Sequence, residues 1–80
     1  MTVRAVIKGC GHYLPKRIVE NSEFEQTLDT SDEWISSRSG IRRRHFASQD
    51  ETTSNMATFA AKKALQDAKL LADDIDAIIL

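Results

Sequence analysis

The apolar positions change their spacing along the chain, and each change marks an element. Residues 3–7, Val-Arg-Ala-Val-Ile, are short, largely apolar and β-branched, and Gly9 and Gly11 follow them, so they predict a strand. In Gly9-Cys-Gly-His-Tyr-Leu-Pro15 the glycines permit a tight backbone or close packing, and Pro15 ends regular pairing. Asn21 reads as an N-cap for a short helix over about residues 22–28, where Phe24 and Leu28 share a face. Thr30 or Ser31 caps a second helix with Asp32 and Glu33 in its first turn, Arg38 in its last and Gly40 as its C′ residue. Residues 41–47 read as extended, with Arg42 and Arg44 on one face and Arg43 and His45 on the other. Ser48-Gln-Asp-Glu51 is a polar loop. Thr52, Thr53 or Ser54 then opens the longest helix, which reaches about Leu70 and carries a stripe of Ala57, Ala60, Ala61, Ala64, Leu65 and Ala68. Asp73-Asp-Ile-Asp76 marks a turn before the apolar residues 77–80, which predict a strand. This order predicts an α/β chain with a βαβ crossover and parallel pairing.

Composition narrows the class. Of the 80 residues 41% are hydrophobic and 29% charged, which excludes a disordered or low-complexity chain. A net charge of −1 supplies no global field toward nucleic acid or membrane. One cysteine, Cys10, rules out an internal disulfide and fits a reducing compartment. The first eight residues carry Arg4 and Lys8 and no long apolar core, so they are not a signal peptide. No stretch approaches the roughly 20 apolar residues of a membrane span. A soluble, cytoplasmic protein is expected.

The chemistry concentrates in the second helix. Trp34 and Arg38 are i and i+4, so they project from one side. An indole offers a flat face for a nucleobase, worth about 1–3 kcal/mol by analogy with base stacking. A guanidinium offers a planar fork for phosphate oxygens. The competing reading makes Trp34 a core residue and pairs Arg38 with Asp32 or Glu33. Cys10, two residues from His12, is not set up as a nucleophile and is expected to pack. With His45 the only other histidine, Cys10 and His12 do not assemble a metal site. Arg42-Arg-Arg44 lacks the interleaved aromatics of a nucleic-acid patch, and strand alternation splits it. Asp73, Asp74 and Asp76 read as a solvated turn. Gly9-Cys-Gly11 lacks the third glycine of a dinucleotide fingerprint.

Asp29-Thr-Ser-Asp-Glu-Trp-Ile35, Arg38-Ser-Gly-Ile-Arg42 and Arg44-His45 together resemble the N-terminal segment of the β-ketoacyl-acyl carrier protein synthase III family. Gly9, Gly11, Tyr13-Leu-Pro15, Asn21, Glu51-Thr52 and the alanine-rich helix extend the resemblance over essentially all 80 residues. Ser39 departs from the family's usual Thr but keeps a hydroxyl. The resemblance implies the N-terminal part of the first half of a thiolase-like fold, a five-layered α/β/α/β/α arrangement in the complete enzyme. It implies an acyltransferase that condenses acetyl-CoA or another acyl-CoA with malonyl-acyl carrier protein to start fatty acid biosynthesis, usually as a homodimer. Thr30, Trp34 and Arg38 match the positions that hold CoA, Thr30 and Trp34 at the adenine and Arg38 at the phosphates. CoA enters as a thioester substrate, and no cofactor, metal, nucleic acid or membrane partner is implied. The family's cysteine, histidine and asparagine lie beyond residue 80, so the chain is expected to be truncated or divided there and inactive alone. Related synthases of quinolone, polyketide and olefin pathways share this opening region. The alternative from another class is a stand-alone CoA- or nucleotide-binding or interaction module without catalysis.

Overall fold

The computed structural model describes residues 3–80 and divides the chain into two compact units, 14–52 and the pairing of 3–13 with 53–80. The first two positions of the expected 1–80 segment lie outside the described residues.

The unit formed by residues 14–52 contains β1 (Arg17–Glu20), α1 (Asn21–Phe24), α2 (Asp32–Ser39) and β2 (Arg43–Phe46). β1 and β2 pair antiparallel, with Arg17 opposite Phe46, Ile18 opposite His45, Val19 opposite Arg44 and Glu20 opposite Arg43. Opposed residues share a face. One face therefore carries Arg17, Val19, Arg44 and Phe46. There the Arg17 guanidinium lies 5.7 Å from the Phe46 ring and Phe24 stacks obliquely at 6.2 Å from Phe46. The other face carries Ile18, Glu20, Arg43 and His45, with Arg43 3.9 Å from Glu20. His45 Nδ1 donates to the Pro15 carbonyl at 2.6 Å, tying β2 to the approach to β1 two residues before it begins. Val19 and Asn21 are the fully buried side chains among the described residues, at 0% and 1% exposure. Burying one valine stabilises by about 1.5–3 kcal/mol, and an isolated two-stranded ribbon is marginal in water.

In the other unit residues 3–13 lie against α3 (Thr53–Ala68). The contact is made at glycines. A Cβ on Gly11 would stand 2.5 Å from both Ala60 O and Ala64 N, and one on Gly9 2.7 Å from Ala68 N. The match is metrical. Two residues of extended chain advance about 6.6 Å and four residues of helix about 6 Å, so alternate glycines meet successive turns of α3. Cys10 N–H donates to Asp67 Oδ2 at 3.0 Å, and Tyr13 stacks on Phe59 at 5.2 Å. α3 ends in a Schellman motif. Lys69 takes the left-handed conformation (φ 58°), its N–H donates to Gln66 O at 3.2 Å, and Leu70 N–H donates to Leu65 O at 3.0 Å. A 3-10 turn (Ala72–Asp74) follows, capped by Asp74 Oδ2, which accepts from Leu71 N–H at 2.9 Å.

Several expectations change. Residues 3–7 and 77–80 form no ladder among the described residues, so the predicted strands and their parallel crossover are absent there, and the observed ladder is antiparallel. A strand needs a hydrogen-bonded partner as well as an apolar run, and these two segments have none within the described residues. β1 has no counterpart in the sequence pattern, because Ile18 and Val19 between charged neighbours make too short an apolar run to mark a strand. Glu20, not Asn21, is the N-cap of α1, and Asn21 sits inside the helix with its side chain buried. Cys10 is exposed rather than packed. With Gly9 and Gly11 facing α3, the period of two turns Cys10 away.

Candidate functional site

Short-range signals build α2. Ser31 is the cap, with its Oγ accepting from Trp34 N–H at 3.1 Å. Glu25 Oε1 accepts from Asp32 N–H at 2.9 Å, so two of the N–H groups that a helix start leaves unpaired are satisfied by side chains. Asp32 and Glu33 stand at the positive end of the helix dipole and Arg38 at the negative end, contacts worth about 0.3–1 kcal/mol each. Gly40 closes the helix at φ 75°, its N–H donating to Ser36 O at 2.8 Å. Ser39 Oγ donates to Ile35 O at 2.8 Å and accepts from Ile41 N–H at 3.1 Å, bracing the exit. The hydroxyl that Ser39 shares with threonine is what this brace uses.

The three predicted residues lie on or just before this helix. Trp34 is 56% exposed and is not part of a core formed within this segment. The Arg38 guanidinium lies over its ring at 5.2 Å and forms no ion pair with Asp32 or Glu33. The i, i+4 spacing thus delivers a flat aromatic surface and a cationic fork as one exposed unit. A contact of this kind is worth about 0.5–1 kcal/mol at an exposed site, enough to orient the guanidinium while leaving it free to move toward an anion. Thr30 precedes the cap. Its Oγ1 is buried and has no hydrogen-bond partner within the described residues. An unpaired buried hydroxyl costs about 1–3 kcal/mol, so Thr30 holds a polar group whose hydrogen bond the described residues do not supply.

The three consecutive arginines separate. Arg44 belongs to the fold, over the Phe24 ring at 4.7 Å and donating to Val19 O at 3.1 Å and to Asn21 Oδ1. Arg43 faces Glu20 in an exposed pair of little energetic weight. Arg42 is exposed, and its carbonyl accepts from Asn21 N–H at 3.0 Å. Asn21 is the residue that sequence reading placed incorrectly. Its side-chain partners are 11, 20 and 23 residues away, beyond any local pattern. Among the described residues no group of three or more His, Cys, Asp or Glu side chains gathers as metal ligands, and no helix is long and apolar enough to cross a membrane.

No protein-family model matches the chain. It is 71% identical over all 80 residues to β-ketoacyl-[acyl-carrier-protein] synthase III of Ruegeria sp. strain TM1040, and covers 25% of that protein. The chain spans about a quarter of the length of the curated relatives it matches. The crystal structure of 3-oxoacyl-[acyl-carrier-protein] synthase III from Aquifex aeolicus VF5 superposes with a TM-score of 0.83 at 48% identity, over 88% of this chain and 22% of that one. The priming β-ketosynthase of a polyketide biosynthetic pathway superposes at 0.84 with 40% identity, over 88% of this chain and 21% of that one. In sequence along its whole length and in its α/β fold, the chain corresponds to an N-terminal segment of the thiolase-like β-ketoacyl-[acyl-carrier-protein] synthase III family.

Proposed function

We propose that the chain forms part of the CoA-binding wall of a β-ketoacyl-[acyl-carrier-protein] synthase III. That enzyme condenses acetyl-CoA or another acyl-CoA with malonyl-acyl carrier protein, releasing carbon dioxide and CoA, as an acyltransferase starting fatty acid biosynthesis. The observation that carries this reading is the exposed Trp34–Arg38 pair on a capped helix. Trp34 stacks the adenine, Arg38 holds phosphate oxygens, and the unpaired Thr30 hydroxyl turns to the base. These groups bind the part of the substrate far from the reacting thioester. Their contribution is positioning, and the acyl transfer and decarboxylation belong to residues outside this chain.

The complete enzyme is read as a cytoplasmic homodimer and the 80-residue chain as inactive. The open apolar groove lined by Val6, Ile7, Ala64, Leu65, Ala68 and Ile75 supports a segment that packs against more protein than it contains. The test is made in the complete enzyme. Trp34 is the only tryptophan of this segment. Trp34→Ala and Arg38→Ala each raise the Kd for CoA by about tenfold or more, the loss of one stacking or one charge-assisted contact. Unchanged affinity in both variants removes the pair from the site.

A second reading is favoured by the likeness to the polyketide priming synthase. It places the same CoA wall in an enzyme that primes a polyketide chain. Assays of acyl-CoA primers and malonyl carrier proteins from both kinds of pathway separate the two.

A further inference from the structure

Asn21 is 1% exposed and uses both hydrogens of its amide nitrogen. One goes to Asp32 Oδ1 at 2.9 Å and the other to the Ile41 carbonyl at 2.7 Å. Asp32 is the first residue of α2, and Ile41 follows the Gly40 that closes it. A single amide group therefore grips the helix at both ends. Its oxygen accepts from Arg44, which is itself fixed over Phe24 and bonded to the Val19 carbonyl. The chain of contacts runs from the buried centre of the ribbon, through Asn21, to both flanks of the helix that presents Trp34 and Arg38.

We propose that Asn21 is a positioning residue for nucleotide binding, its buried amide fixing the direction in which α2 presents Trp34 and Arg38. This rests on the CoA-binding reading above. The chemistry asks for an amide. Aspartate has no hydrogen to donate, and serine has one where two are used. Buried networks of this kind fix geometry when every member is satisfied and lose it when one is not. Small misplacements of substrate-positioning groups cost activity out of proportion to the contact removed.

The experiment compares two acyl donors in the complete enzyme, acetyl-CoA and acetyl-pantetheine, which lacks the nucleotide. Asn21→Asp keeps the size and the Arg44 contact but sets a carboxylate against Asp32 and the Ile41 carbonyl. The expected result is a rise of about tenfold in KM for acetyl-CoA, with kcat within about twofold and kcat/KM for acetyl-pantetheine unchanged. Adding Asp32→Asn reverses the direction of the broken hydrogen bond and restores most of the acetyl-CoA KM. Equal losses with both donors, or no loss with either, overturn the proposal. Should Asn21→Asp fail to fold, Asp32→Ala carries the same comparison, because Asn21 then keeps Ile41 and Arg44. Trp34→Ala is run alongside. If it too fails to separate the donors, the nucleotide site itself is misassigned; if it separates them and the Asn21 and Asp32 variants do not, only the positioning role falls.

Discussion

Gly11→Ala puts one methyl group where the structure has no room. The new Cβ would stand 2.5 Å from Ala60 O and Ala64 N and 2.9 Å from the Lys63 carbonyl carbon. Reaching even 3.0 Å requires a separation of at least about 0.5 Å more. All three atoms are α3 backbone, so no rotamer change relieves them and the helix must move as a body. Overpacking of this kind costs about 1–3 kcal/mol, occasionally more. Gly40→Ala is the matched control. Nothing lies within 4 Å of its Cβ, and its cost is that of holding alanine at φ 75°. That is about 1 kcal/mol. Both variants are made in the complete enzyme and followed by thermal unfolding, where Gly11→Ala lowers Tm by about 2–10 °C and by more than the control. Trimming the facing side chain with Ala64→Gly does not restore it, since the clash is with main-chain atoms. A Gly11→Ala enzyme no less stable than the Gly40→Ala enzyme refutes the close-approach reading.

Two further outcomes follow from the helix ends. Ser31→Ala removes the acceptor for Trp34 N–H and destabilises by about 1 kcal/mol, measured as a shift in denaturation midpoint, whereas Ser31→Asp keeps the cap and most of the stability. Lys69→Gly relieves the left-handed residue at the end of α3 and stabilises by about 0.5–1 kcal/mol in the same measurement, while Lys69→Ala gives no such gain.

The elements that sequence reading placed well are those whose determinants are neighbours in the chain. The cap, first-turn acids and closing glycine of α2 lie within ten positions, and the structure has Ser31 and Gly40 in those roles. The long helix begins at Thr53, within the range expected, and stops at Ala68, two residues short of Leu70, where Lys69 turns left-handed. The Trp34–Arg38 juxtaposition followed from helical spacing alone. The features without a local signal depend on distant partners. β1 exists because β2 pairs with it, and four residues with two apolar side chains carry little strand signal alone. Asn21 displays the local signature of a cap, yet its side chain serves residues 11 to 23 positions on. In the sequence Gly9 and Gly11 allow either a tight backbone or close packing, and only the facing turns of α3 decide for packing.

The fit of those two glycines against α3 sets a rule for insertions and deletions. Losing or gaining a single residue between Gly9 and Gly11 would shift the segment by half its repeat and drive a side chain into the helix backbone. The Ser48–Glu51 turn contains no glycine held in such a register, and its Ser48 N–H donates locally to Glu51 Oε1 at 3.1 Å. Natural variation in chain length within this segment should therefore collect near residues 48–51 and be purged from residues 9–11, whatever else in the sequence drifts.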